Sequence, residues 1–223
     1  MIEEARVFHH SADGFSLTPD IKEACRYLGV KQTDMVKGES AVLEETRNLI
    51  LESVKELQPL LHPQCLYARF PLATETYGTQ EHCAPTLSFA GFTVTSKDLG
   101  VNLKNCFSVI LMAATIGPQV DALIQRYGKI NPAKGAAMQA TAAMFIESYV
   151  DSINHMLKRE ALSQGMVLHP RYSPGYGDVS LEVQTIFFSL LPCTKIGLSL
   201  TDTLFMIPEK SVTAFIGIEH KNE

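Results

Sequence analysis

The sequence has no basic cluster, no paired cysteines and no apolar stretch long enough to cross a bilayer. Its densest basic run is Lys158-Arg159, and the formal net charge is -5 over 223 residues. Nucleic acids and anionic membrane surfaces both recruit proteins through clustered Lys and Arg, so neither is an expected partner. The longest apolar run, Phe107 to Ile116, is interrupted by a serine and falls well short of the roughly 20 residues of a spanning helix. The first ten residues, MIEEARVFHH, are acidic and lack the apolar centre of an export signal, so a cytoplasmic location is expected.

The cysteines, at positions 25, 65, 83, 106 and 193, are odd in number and widely spaced, with no C-x-x-C. That excludes a disulfide framework and a structural zinc site, and predicts reduced, mostly buried thiols. His82-Cys83 is an adjacent pair, but a catalytic dyad needs side chains that meet, and neighbours in sequence usually point apart. Also missing are a P-loop, an H-E-x-x-H, a G-x-S-x-G and an EF-hand loop. Gly175-Tyr176-Gly177 lacks the third glycine and the strand-loop-helix frame of a dinucleotide fingerprint. There is no repeat and no low-complexity tract. With 46% hydrophobic and 19% charged residues, the chain reads as globular and suits a single domain over 1–223.

What is present is a mixture of helices and strands without βα alternation. Thr18-Pro19-Asp20 predicts a helix start, with Thr18 as N-cap and Gly29 as the stop. A second helix is expected from Glu39 to Leu57, giving a helical N-terminal part over 1–60. Residues 61–223 then read as α+β. Cys65–Leu72 and Thr86–Val94 have strand composition. Ser96 is placed to cap a short helix, and Cys106–Thr115 reads as a strand buried on both faces. Gly117-Pro118 opens a helix ending at Gly128. Asn131-Pro132 opens the longest helix, to about Ser163, whose small residues allow close approach of another backbone. A helix over Ser180–Leu191 and a last strand over Ser211–Ile218 follow. The expected class is α+β, a largely antiparallel sheet flanked by helices.

Within this frame the segment R-Y-S-P-G-Y-G-D, Arg171 to Asp178, concentrates chemistry. Ser173-Pro174-Gly175-Tyr176 carries the type II turn signature, with glycine where positive φ is required. Gly175 and Gly177 would let a ligand approach the main chain. Arg171 is a fork of donors suited to a carboxylate, the tyrosines add rings and hydroxyls, and Asp178 is placed to cap the helix near Ser180. A connecting turn and a ligand cradle both satisfy this stereochemistry. Glu147 and Asp151 lie one helical turn apart, with His155 a further turn on. A solvated face is the simpler reading, and no third ligand for a metal is evident. Met206 and Pro208 read as a link packed on the core, with Lys210 beside it solvated.

The arginine motif, taken with a later L-T-D-T-L-F-M-I-P-E-K-S-V-T, resembles the activation domain of cobalamin-dependent methionine synthase. Leu200, Thr201, Asp202, Met206, Pro208, Ser211, Val212 and Thr213 hold the second motif. The two occur in the family's order and spacing, over about the last quarter of the chain. The resemblance implies a curved α+β domain on an antiparallel sheet that binds S-adenosylmethionine. In that family the domain supports reductive methylation of cob(II)alamin, with an electron from a flavodoxin-type or ferredoxin-type donor. By the same resemblance, Arg171 grips the ligand carboxylate, Tyr172, Ser173 and Pro174 offer backbone contacts, and Gly175 allows close approach. Tyr176, the implied catalytic residue, lies towards the corrin. Ile216 and Gly217 stand where fused members carry aromatics near the adenosine, and the family aspartate that holds the ligand amine has no counterpart. Asp202, Glu147 and Asp151 are its candidate substitutes. No cobalamin-binding D-x-H-x-x-G and no zinc-site domain is present. The chain is therefore expected to act in trans on a cobalamin-binding methionine synthase subunit, as a methyltransferase component. The alternative is a docking module for a corrinoid methyltransferase that binds no S-adenosylmethionine.

Overall fold

The computed structural model describes residues 6–30, 41–75 and 84–221. Its frame is a curled five-stranded antiparallel sheet. The strands are β1 (Val7–Ser11), β2 (Gln64–Pro71), β6 (Ser108–Thr115), β7 (Met166–Leu168) and β10 (Ser211–His220), in the order β1-β2-β6-β10-β7. The central strand β6 is buried at all eight positions, which is why its sequence is continuously apolar rather than alternating. Successive side chains serve opposite faces. Ile110, Met112 and Ala114 join one core, and Val109, Leu111 and Ala113 the other.

The first core is covered by α1 (Ile21–Tyr27), α2 (Ala41–Leu57), α4 (Pro118–Ile130) and α5 (Pro132–Ser163). Asn131 caps α5 by accepting from the Lys134 amide at 3.1 Å, as the Asn-Pro pair predicts. The small-residue half of α5 does admit another backbone: a Cβ on Gly135 would lie 2.8 Å from the Gly128 Cα. Gly128 is therefore a contact inside α4, which runs on to Ile130, and not the expected stop. The second core is covered by α3 (Lys97–Asn102), α6 (Gln184–Leu190) and a small sheet of β3 (Ala73–Glu75), β4 (Thr86–Phe89) and β5 (Phe92–Thr95). A small hairpin pairs the two-residue strands β8 (Ser199–Leu200) and β9 (Met206–Ile207).

Several expectations are corrected. The N-cap of α1 is Asp20, accepting from the Glu23 amide at 3.0 Å, two residues after Thr18. The stretch Thr86–Val94 is a hairpin, because Ala90 and Gly91 both take positive φ, at 50° and 81°, the requirement of a two-residue primed turn. The N-terminal part is not purely helical, since β1 forms an edge of the main sheet against β2. Four cysteines are buried free thiols. Burial pushes Cys106 up to about 12 and Cys193 up to about 11, and Cys65 higher still. His82 and Cys83 lie outside the described residues. Among the described residues no helix is long and apolar enough to cross a membrane.

Candidate functional site

The arginine motif leaves the sheet through β10. The His169 amide donates to the Gly217 carbonyl at 2.9 Å. Tyr172 then exchanges both backbone bonds with Phe215, at 2.9 and 2.8 Å. That pairing fixes where Arg171 emerges. Past it the chain turns as its sequence requires: the Tyr176 amide donates to the Ser173 carbonyl at 3.3 Å, with Gly175 at φ 87°. The Gly175 amide donates to Val179 at 2.9 Å, and the Val179 amide donates back to Tyr176 at 3.1 Å. The loop is thus closed on itself, and these amides are spent inside it rather than left for a ligand.

Gly177 has a different role from the one expected. Its φ is 53°, and a Cβ there would run into the Asp98 carboxylate and the Tyr172 hydroxyl. The space is taken by protein and not open to a ligand. Gly177→Ala should therefore cost about 1–3 kcal/mol, read as a lower urea midpoint at unchanged slope.

Asp178 does not cap the helix near Ser180. That turn is capped by Ser180 itself, whose hydroxyl oxygen accepts from the Glu182 amide at 3.2 Å. Asp178 reaches across to α3, accepting from the Lys97 amide at 2.7 Å, the Asp98 amide at 3.3 Å and the Ser96 hydroxyl. Ser96 in turn accepts from the Leu99 amide at 2.9 Å. The Ser96 hydroxyl first, and then the Lys97 amide, hold the Asp178 carboxyl below its ordinary value. A lowered carboxylate stabilises the fold above its ordinary titration range, and that contribution is lost as pH falls through the lowered value. The stability difference between wild type and Asp178→Asn should therefore be present at neutral pH and shrink on acidification, as paired thermal melts would record.

A cleft of about 310 Å³ opens beside the loop, a size within the roughly 300–1,000 Å³ typical of ligand sites. Ser173, Pro174 and Tyr176 line it, together with Met206, Glu209, Lys210, Ser211, Val212 and Thr213 from the second motif. From the helices come Ala143, Ile146 and Glu147 of α5, Tyr27 of α1 and Gln184 of α6. Tyr176 is 70% exposed, at the rim. Lys210 is not solvated as expected: its side chain is 13% exposed and pairs with Glu209 at 3.0 Å. The loop carrying both is held by Asp121, which accepts from the Glu209 amide at 2.6 Å and whose carboxyl is raised, first by burial. Tyr27 is raised by burial and secondarily by Glu147. Gln184 is buried, and its side-chain oxygen has no partner among the described residues. Such a group costs stability unless something satisfies it.

Arg171 does not itself line this cleft and meets it through Glu147, which does. Its Nη2 donates to Glu147 at 3.0 Å and ion-pairs with Asp151 at 3.1 Å. Its Nη1 is buried without a partner among the described residues. Glu147 and Asp151 are therefore not a plain solvated face. His155 makes no pair with the Asp151 carboxylate, since its Nδ1 meets the Asp151 carbonyl at 2.7 Å. Asp202 is exposed and does not line the cleft. Ile216 and Gly217 do not line it either. Ile216 is fully buried in the helix-side core, and the face of Gly217 is filled by Cys106, Leu103 and His169. The aromatic beside them, Phe215, is in the opposite core, packed edge-on against Phe187 and Phe89. Among the described residues no group of His, Cys, Asp and Glu is suited to hold a metal.

Comparison with solved structures finds the MetH reactivation domain bound to AdoHcy. The TM-score is 0.65 at 15% identity, over 100% of this chain and 81% of that one. This chain has the reactivation-domain fold. No protein-family model and no curated protein matches the sequence. The reactivation-domain fold agrees with the antiparallel α+β class expected from the sequence. Tyr27, Gln184, Glu209 and Lys210 are cleft residues that sequence reasoning missed. Lys210 and Glu209 adjoined matched positions, whereas nothing in the sequence marks Tyr27 or Gln184.

Proposed function

We propose that this chain binds S-adenosylmethionine in the cleft and presents its methyl group to a cobalamin-binding methionine synthase subunit, as a reactivation component acting in trans. The observation carrying this reading is that the two motifs, about 30 residues apart in sequence, line one cleft of ligand size within a reactivation-domain fold. The MetH reactivation domain of that comparison was solved with AdoHcy, the product such a methyl donation leaves.

Each side chain has a role in this reading. Arg171 takes the ligand carboxylate as a two-donor fork. Ser173 and Pro174 form a shelf. Glu147 gives the cleft a carboxylate suited to the ligand ammonium, while the Glu209 charge is offset by Lys210. Tyr176 stands at the rim, where an incoming corrin ring would meet it, and exposed Phe205 and Ile207 flank Met206 in sequence. A cobalamin held by the partner and reduced by one electron from a flavodoxin-type or ferredoxin-type donor would supply the nucleophile for the methyl, with the sulfur of the ligand keeping the bond pair and S-adenosylhomocysteine left in this chain. The chain's own contribution is binding, orientation and electrostatics.

Calorimetric titration of the folded chain with S-adenosylmethionine should give saturable one-site binding. Absence of binding at millimolar ligand favours the docking module without S-adenosylmethionine. Capture of the cobalamin-binding subunit by ligand-free chain would support that alternative.

A further inference from the structure

We infer that the end of the main sheet remote from the cleft carries a second ligand site, one for a small apolar monocarboxylate and independent of the S-adenosyl reading. A cavity of about 180 Å³ opens there between the sheet and the last turns of α5. Its floor is core: Ile110 of β6, Leu168 of β7, Ile218 of β10, and Leu157 and Ala161 of α5 are all buried. Phe8 and Tyr67 line it from β1 and β2, their rings stacked at 5.2 Å. Glu147 of the cleft and Glu160 of this cavity stand about 20 Å apart along α5, at about 1.5 Å per residue. The two sites are therefore separate.

The mouth is charged. Val7 pairs with Ala68 and Phe8 with Tyr67. One step outward in that register puts Arg6 opposite Arg69, on the face that Phe8 and Tyr67 share. Like charges directly opposed across two strands repel, and neither arginine has an acidic partner among the described residues. Arg69 is nevertheless held in one pose. Its Nε donates to the Ser108 hydroxyl at 2.9 Å, and its guanidinium lies over Phe107, 5.1 Å from the ring centre. Phe107 in turn stacks on His220 at 4.1 Å. Arg6 lies over Phe8 at 5.0 Å. A guanidinium anchored in this way offers its remaining donors as a fork to a carboxylate. Glu160 also lines the cavity, again without an ion pair among the described residues. Two arginines and one glutamate leave a single positive charge. A monocarboxylate cancels it. A phosphate monoester, with about 1.5 to 2 negative charges, overshoots, and a zwitterionic amino acid leaves it standing. The floor is apolar, so the body of the ligand is apolar as well.

Isocaproate, its amide and leucine share one branched apolar body and differ at the polar end, so together they test the site. Ligand-detected NMR titration of the full chain should show saturable binding of isocaproate, with the neutral amide and leucine each at least about tenfold weaker. Inorganic phosphate should not displace it. Arg6→Gln and Arg69→Gln should each weaken isocaproate binding at least about fivefold. Arg6 is exposed, and Arg6→Gln removes a like-charge contact, so it should melt no lower than wild type; a purely structural role for Arg6 would lower the melt. Ala161→Leu fills the cavity from its floor and should abolish binding in a folded protein. Equal affinity for the acid and either analogue would overturn the site, as would wild-type affinity in both arginine variants. Unchanged binding in Ala161→Leu, or no saturable binding of isocaproate to wild type, would overturn it as well. The arginine variants decide the question whether or not Ala161→Leu folds.

Discussion

Arg171→Ala should lower the affinity for S-adenosylmethionine by about 10- to 150-fold while the protein stays folded. The range corresponds to losing a charge-assisted bond worth roughly 1.5–3 kcal/mol. The partner groups explain why folding survives. Glu147 and Asp151 are 40% and 58% exposed, so water can solvate both carboxylates once the guanidinium is gone. Arg171→Lys should recover little, because a compact ammonium lacks the planar two-donor fork that matches a carboxylate. Titration calorimetry checks the affinity, and circular dichroism through a thermal melt checks the fold. Wild-type affinity in a folded Arg171→Ala protein would remove the arginine from the site.

The second large effect concerns stability. Phe215 is fully buried, with its ring 4.7 Å from Phe187 and 5.6 Å from Phe89, both edge-on. Replacing it with alanine removes most of a ring from a close-packed core and should cost about 3–5 kcal/mol. The loss reaches the site as well, because the Phe215 backbone is what Tyr172 pairs with where the arginine motif leaves the sheet. Phe215→Leu, which fills more of the volume, should cost less than the alanine substitution. Urea denaturation with the slope held constant measures both. A ligand present in excess should recover part of the loss by mass action.

How much of this was legible in the sequence depended on whether the signal was local. The strand β6 announced itself because burial on both faces leaves an unbroken apolar run. The helix α5 did so because Asn131 and Pro132 mark its start. The edge strand β1 was invisible, since V-F-H-H-S has no alternation and two histidines, and only pairing with β2 makes it a strand. The hairpin at Ala90 was hidden because alanine seldom takes positive φ. Asp178 was recognised as a capping residue, but its helix lies about 80 residues earlier in the chain, and such a partner cannot be read from spacing. Similarly, Glu147 and Asp151 were legible as one helix face, not as the partners of Arg171. Ile216 and Gly217 were placed at the site by resemblance, yet alternation along β10 turns Ile216 into the helix-side core and the packing of Cys106 and Leu103 closes Gly217. The family motifs located the cleft; the residues that complete it come from separate elements and meet only in three dimensions.

The central claim is that the cleft between the arginine loop and the Met206–Thr213 segment holds S-adenosylmethionine. A crystal of the chain soaked with S-adenosylhomocysteine tests it most directly. The predicted result is density in that cleft, with the ligand carboxylate on Arg171, the amino group on Glu147 and the sulfur open towards Tyr176. An empty cleft at saturating ligand, or density at another site with Arg171 still paired to Glu147, would contradict it.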